Sequence, residues 1–180
     1  MVPCGCCQPD PFRGLHGIVL AFTVLRDAGA YTTARTVNVT NVLELSFHIE
    51  RMADTARLMR SSSNDVGVEP TVLLSAGTLT PVLLATLRAA VIAFQEASQQ
   101  KNQEMRLTML SHWESGVPVV AAHVGPMPSR AKPPVKIQIA GRPRSNAAAK
   151  DSEWVRQRAS LEALKPADVG EVILVSEGTS

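Results

Sequence analysis

The chain has 180 residues, 45 % hydrophobic and 19 % charged, which suits a globular protein with a real core and excludes a disordered chain. A formal net charge of +2 and an aromatic content of 4 % argue against nucleic acid, an acidic membrane surface or a base-stacking surface as partners. The length suits one domain, or one domain and part of a second.

Residues 1–26 read as an N-terminal tail of uncertain role. Cys4, Cys6 and Cys7 have no second cluster to complete a zinc site, and they are too close in sequence for disulfide geometry, so a frayed, reduced tail is expected. The apolar run at residues 17–25 is shorter than the roughly 20 residues of a membrane helix. Ile18, Val19, Phe22, Thr23 and Val24 favour a buried strand; a secretory signal ending near Ala28-Gly29-Ala30, or a transit peptide, is the alternative.

Residues 31–40 alternate and are rich in Thr and Val, which predicts a strand, with a turn at Asn38 and Asn41. Leu45, Ile49, Met52, Ala56 and Met59 recur at helical spacing, with Ser46 as the expected N-cap and the polar residues 61–64 as the stop. Thr80-Pro81 is expected to open a second helix, a long apolar core helix over 82–97 with Pro81 at its first position. Strands are predicted at 106–110 and 117–123, followed by a proline-rich connection over 126–134. Val135, Ile137 and Ile139 alternate with Lys136 and Gln138, which predicts a half-buried strand. Trp154, Leu161 and Leu164 share a helical stripe that Pro166 ends, and residues 171–175 read as a strand. The class is α+β: a small N-terminal sheet-and-two-helix domain over 27–140, then the opening helix-strand unit of an incomplete second domain over 141–180. A complete second domain would need many more than those roughly 40 residues.

Two features bear on chemistry. His48 and Arg51 are three apart on a helix and share a face; a solvated surface pair is the plain reading. The functional reading makes Arg51 a planar, always charged fork for a phosphate. Lysine occurs at 101, 132, 136, 150 and 165, and all but Lys150 stand in surroundings that read as solvated surface. Lys150 follows Ala147-Ala148-Ala149, and small apolar neighbours are expected to desolvate its amine and lower its pKa. A neutral amine is what a Schiff base requires.

The order Gly29-Ala-Tyr-Thr-Thr-Ala-Arg-Thr36, then Phe47-His-Ile-Glu-Arg-Met-Ala-Asp-Thr-Ala-Arg57, resembles the opening of class IV (fold-type IV) pyridoxal-phosphate (PLP) aminotransferases. That family includes branched-chain and D-amino acid aminotransferases and aminodeoxychorismate lyase. Gly141-Arg-Pro-Arg-Ser-Asn-Ala-Ala-Ala-Lys-Asp-Ser-Glu-Trp-Val-Arg-Gln-Arg158 resembles the loop around the family's Schiff-base lysine in plant-style members, and residues 171–175 the strand that follows. The resemblance implies Lys150 as the lysine that condenses with PLP, Arg51 as the cofactor-phosphate ligand and, loosely, Tyr31 at the substrate pocket wall. It implies transamination of an amino acid with a 2-oxo acid, in a homodimer if a full-length form exists, in plastid or cytoplasm. The alternatives are a catalytically silent truncated fragment, an elimination of the aminodeoxychorismate lyase type, and a general α+β binding module. The sequence departs from the family at Gly-Ala-Tyr-Thr-Thr, where bacterial members usually carry Phe-Glu. It also lacks the family's later elements: the acid that pairs with the pyridinium nitrogen and the helix starts that hold phosphate. Glu177 reads as the turn residue before that acid.

Overall fold

The computed structural model describes residues 28–61, 71–98, 102–129, 134–144 and 147–175. The expectations for the N-terminal cysteines, the apolar run at 17–25, the loop at 62–64 and Glu177 lie outside the described residues.

The fold is α+β. In chain order it comprises β1 (Ala30–Val37), β2 (Asn41–Val42), α1 (Leu45–Ser61), a 3-10 turn (Thr71–Leu74), α2 (Ala76–Ala97), β3 (Met105–Glu114), β4 (Val117–Pro126), β5 (Ile137–Ile139), α3 (Glu153–Leu164) and β6 (Glu171–Ile173). The first four strands form an antiparallel sheet in the order β2-β1-β3-β4, while β5 and β6 pair in parallel. β5 therefore finds its partner beyond residue 140.

Alternation builds the core. Successive strand side chains point to opposite faces, and β1 buries Ala30, Thr32, Ala34 and Thr36 while Tyr31, Thr33 and Arg35 are more exposed. These small residues sit in register with Met105, Leu107, Met109 and Ser111 of β3. Against that face pack Ile49, Met52, Ala53 and Ala56 of α1 and Leu79, Leu83 and Leu87 of α2. Burying a side chain the size of Leu83 stabilises by about 1.5–3 kcal/mol. Two tight reversals set the registers. Asn38 and Val39, at φ 54° and 67°, turn β1 into β2. Ser115 and Gly116, at φ 51° and 79°, form the two-residue hairpin loop between β3 and β4. Glu104 braces the first turn, accepting hydrogen bonds from the Thr36 hydroxyl and the Val39 N–H.

Several boundaries differ from those predicted. α1 opens at Leu45, so Ser46 lies in its first turn and is not the cap; the His48 N–H donates to the Glu44 carbonyl at 3.1 Å. α2 begins at Ala76, which puts Pro81 inside the helix. The first turn is secured without Pro81: the Leu79 N–H donates to the Ser75 carbonyl at 2.9 Å, and the Thr78 and Thr80 hydroxyls donate to the carbonyls of Val72 and Ala76. The N–H that Pro81 lacks would have met the carbonyl of Gly77, an exposed residue that water can serve. α2 is long and apolar enough to cross a membrane by length and composition, yet its Leu79, Leu83 and Leu87 lie in the core.

β5 is present but oriented against expectation, with Ile137 and Ile139 exposed and Gln138 the more buried residue. Its only strand partner among the described residues is β6, whose Ile173 is also exposed. Leu164 is 80 % exposed and leaves the predicted apolar stripe of α3.

Candidate functional site

Lys150 is placed by the backbone. Residues 150–152 run antiparallel to the start of β1, along the edge that β3 does not use, with Ala30 opposite Asp151. The Tyr31 N–H donates to the Lys150 carbonyl at 3.0 Å, and the Ser152 N–H donates to the Gly29 carbonyl at 2.8 Å. Side chains close each end. The Gly29 N–H donates to Ser152 Oγ at 2.9 Å, and the Lys150 N–H donates to Thr55 Oγ1 at 3.2 Å. Position 29 requires glycine because a Cβ there would lie 2.6 Å from the Ser111 carbonyl oxygen and 2.8 Å from His112 Cβ.

This register puts Tyr31 and Lys150 opposite one another, so their side chains share a face. Lys150 Nζ lies 5.1 Å from the centroid of the Tyr31 ring, within cation–π range. α1 approaches from the other direction. His48, Arg51 and Thr55 follow one another at three- and four-residue spacing and form one stripe of the helix. Thr55 is buried and holds the Lys150 N–H; Arg51, one turn earlier, is exposed and forms no ion pair among the described residues. His48 Nδ1 is 2.7 Å from Thr32 Oγ1, which fixes the head of the stripe to β1.

The electrostatics follow from this convergence of cations. Burial pushes the Lys150 amine below the ordinary lysine range, and the charges of Arg51 and Arg144 push it further the same way. Burial also lowers His48, with Arg51 assisting, and raises the Tyr31 phenol against the opposing pull of Arg144, Arg158 and Arg51. Burial raises the Asp151 carboxyl as well, although it accepts the Glu153 N–H at 2.8 Å. The source of desolvation differs from that expected. Ala147 and Ala148 are exposed and only Ala149 is buried, so the alanine run does not enclose the amine. The Tyr31 ring lies against it instead. The other two described lysines are neutralised: Lys136 pairs with Asp168 at 2.6 Å and Lys165 with Glu162 at 3.0 Å.

A cavity of about 300 Å³ opens beside the amine, lined by Tyr31, Arg144, Lys150, Trp154 and Arg158, with Leu161 and the β6 region behind. Among the described residues no carboxylate lines it, and Arg51 stands outside its wall. Arg144 lies over the Trp154 ring, 5.7 Å from its centroid, and donates from Nη2 to the Ala147 carbonyl at 3.1 Å. Arg158 is committed to Glu162 and Glu171. A larger cavity of about 450 Å³, between the end of α2 and the start of β3, has no lysine, cysteine or histidine among the described residues of its lining. Among the described residues no cluster of histidine, cysteine and carboxylate side chains suits a metal ion.

Of the three residues singled out in the sequence, Lys150 and Tyr31 meet directly, and Arg51 bears on the same amine from α1. Thr55, Ser152, Trp154 and Arg144 were not singled out. Thr55 was open to detection, since it follows Arg51 by one helical turn. Arg144 was not, because its place depends on the loop that carries it back to Trp154. No family model matches the chain, and no curated protein matches it.

Proposed function

We propose that this chain is a PLP-dependent amino acid transaminase of the class IV type, with Lys150 as its Schiff-base lysine. The observation that carries the reading is the state of that one amine. It is half-buried against Tyr31, it is the described lysine with no carboxylate partner, and its pKa is lowered by burial, Arg51 and Arg144. A lysine that is to attack a carbonyl must be neutral, and desolvation beside other cations is how proteins make it so. The residues fit the cofactor in two further respects. The guanidinium of Arg51 is uncommitted and suits a phosphate, and the cavity at Lys150 is at the lower end of the size range for small-molecule sites.

PLP, when bound, supplies an electron sink for the bond broken at the substrate Cα. The chain's own residues would do the rest. Arg51 binds the phosphate and fixes the cofactor's distance from α1. The four hydrogen bonds around residues 29–31 and 150–152 hold the lysine backbone, so that Nζ alone moves. The Tyr31 ring limits water on one side of Nζ. With the cofactor bound, Nζ would be the base available in the cavity to take the substrate Cα proton and return it.

The test is covalent. The full chain is incubated with PLP, reduced with borohydride, digested and mapped by mass spectrometry. The reading expects the label on Lys150, lost in Lys150→Ala and reduced in Arg51→Gln at limiting PLP. A chain that is folded by circular dichroism yet unlabelled, or labelled equally on Lys136 and Lys165, would refute it and leave a silent relative of the family.

A further inference from the structure

We infer that Arg144 is the carboxylate-binding arm of this site, so that two guanidiniums divide two anions between them: Arg51 the cofactor phosphate, Arg144 the carboxylate of the amino acid. The inference rests on the function proposed above for its second anion, and on the cavity alone for its first step.

Arg144 and Lys150 line the same cavity, whereas Arg51 stands on α1 outside it. An anion in this space meets Arg144 and not Arg51. Arg144 is also prepared for the task. The preceding Pro143 fixes its own φ near −65°, and Gly141 turns the chain at φ 85°, where Leu161 and Leu174 pack close to its Cα. The guanidinium is then held at two points, by the face of Trp154 and by the carbonyl of Ala147. Those contacts use one face and one N–H. An arginine has five N–H donors in a fixed plane, so an edge remains for a bidentate acceptor. Arg158, the other guanidinium of the cavity, has no such freedom, because Glu162 and Glu171 hold it. Among the described residues of the lining no carboxylate competes for the open edge.

The geometry selects the anion. A transamination substrate carries its carboxylate one bond from the carbon whose proton Lys150 would remove, so a cation is required on the cavity side of the amine. The guanidinium fork suits carboxylate and phosphate alike, so it is the place of Arg144 in the Lys150 cavity that assigns it the carboxylate.

The test separates anion recognition from cofactor chemistry. The full chain bearing Trp113→Phe leaves Trp154, under Arg144, as its single tryptophan reporter. Succinate, which has carboxylates and no amine, and inorganic phosphate are each titrated without PLP, and borohydride trapping of PLP at Lys150 is measured separately. Succinate is expected to change Trp154 emission saturably, about tenfold more weakly in Arg144→Gln. Arg51→Gln is expected to weaken trapping at Lys150 more than it weakens succinate, and Arg144→Gln to weaken succinate more than it weakens trapping. Should Arg144→Gln fail to fold, Arg144→Lys keeps the charge, loses the fork, and is expected to weaken succinate severalfold. Succinate binding that is absent, or unaffected by either Arg144 variant, overturns the inference. So does an Arg144 variant that loses phosphate and PLP trapping while keeping succinate, because Arg144 would then serve the phosphate. Arg144-dependent succinate binding in a chain that never traps PLP sinks the proposed function and leaves the carboxylate site standing.

Discussion

Thr55→Val probes the joint on which the site depends. Valine keeps the shape of the threonine and removes the acceptor of the Lys150 N–H. The segment 150–152 is held by four hydrogen bonds, three to residues 29–31 at the start of β1 and one to Thr55 of α1. Each is worth about 0.5–1.5 kcal/mol net, but a donor left unpaired in a buried place costs about 1–3 kcal/mol. The substitution should therefore undock the segment by that amount, about five- to a hundredfold in the docked-to-undocked ratio. Amide hydrogen exchange reads this directly, because the Tyr31 and Ser152 N–H groups make the two backbone bonds across the joint. Both should lose protection by that factor, whereas the amides of β3, deep in the sheet, should hold theirs. PLP trapping at Lys150 should slow in parallel. Unchanged protection at Tyr31 and Ser152 in a folded Thr55→Val chain would refute the claim that α1 positions the lysine. Equal losses at β3 would mean that the whole domain had weakened.

Gly29→Ala is expected to destabilise the chain by about 1–3 kcal/mol, since its Cβ meets the backbone of β3 and cannot be relieved by a side-chain rotation; urea unfolding measures it. Leu83→Ala, which empties a fully buried position of α2, should cost about 2–5 kcal/mol in the same assay without affecting the open Lys150 cavity. Glu104 has its pKa lowered chiefly by the Thr36 hydroxyl bond, so its contribution is present above the ordinary carboxylate value and lost as pH falls through the folded one. Unfolding midpoints should drop on acidification in that range, and Glu104→Gln should flatten the drop. For Lys150 the slope has the same sign, although here it is the protonated form that the fold penalises. Its folded pKa lies below the ordinary lysine value, so stability rises with pH between the two, and Lys150→Met should remove that rise.

The alternation of β1 and the helical period of α1 were legible because period and burial are the same information when one face of an element meets the core. The Ser46 and Pro81 boundaries were not, because they turned on local donors. Hydroxyls of Thr78 and Thr80 secure a turn that the sequence marks only by a proline. The strand at 137–139 was legible as a strand and misread as half-buried, since its pattern gives alternation but not which face finds a neighbour. Within the site, the sequence singled out the lysine and misassigned the cause of its environment. The three alanines before it are adjacent in the chain, yet the aromatic ring that shields the amine comes from Tyr31, across a strand pairing that no local pattern encodes.

The lowered amine and the anion-binding character of the cavity share part of their physical origin. Burial disfavours a proton on Nζ, positive charge from Arg51 on α1 and Arg144 in the loop before Lys150 adds to it, and the same charges favour any anion that enters. Lys136 shows the contrast within the same chain. Its ammonium is paired with Asp168 on the surface, with a carboxylate in the place where Lys150 has an aromatic ring. A carboxylate introduced beside Lys150, for instance by Tyr31→Glu, would convert the site to that second kind. It would raise the amine's pKa, occupy Arg144 and close the cavity to substrate carboxylate in a single step. Trapping of pyridoxal, which has no phosphate to recruit Arg51, should then shift to higher pH in Tyr31→Glu. An unshifted profile in Tyr31→Glu would mean that the surrounding charges do not govern Nζ, and that burial alone sets its reactivity.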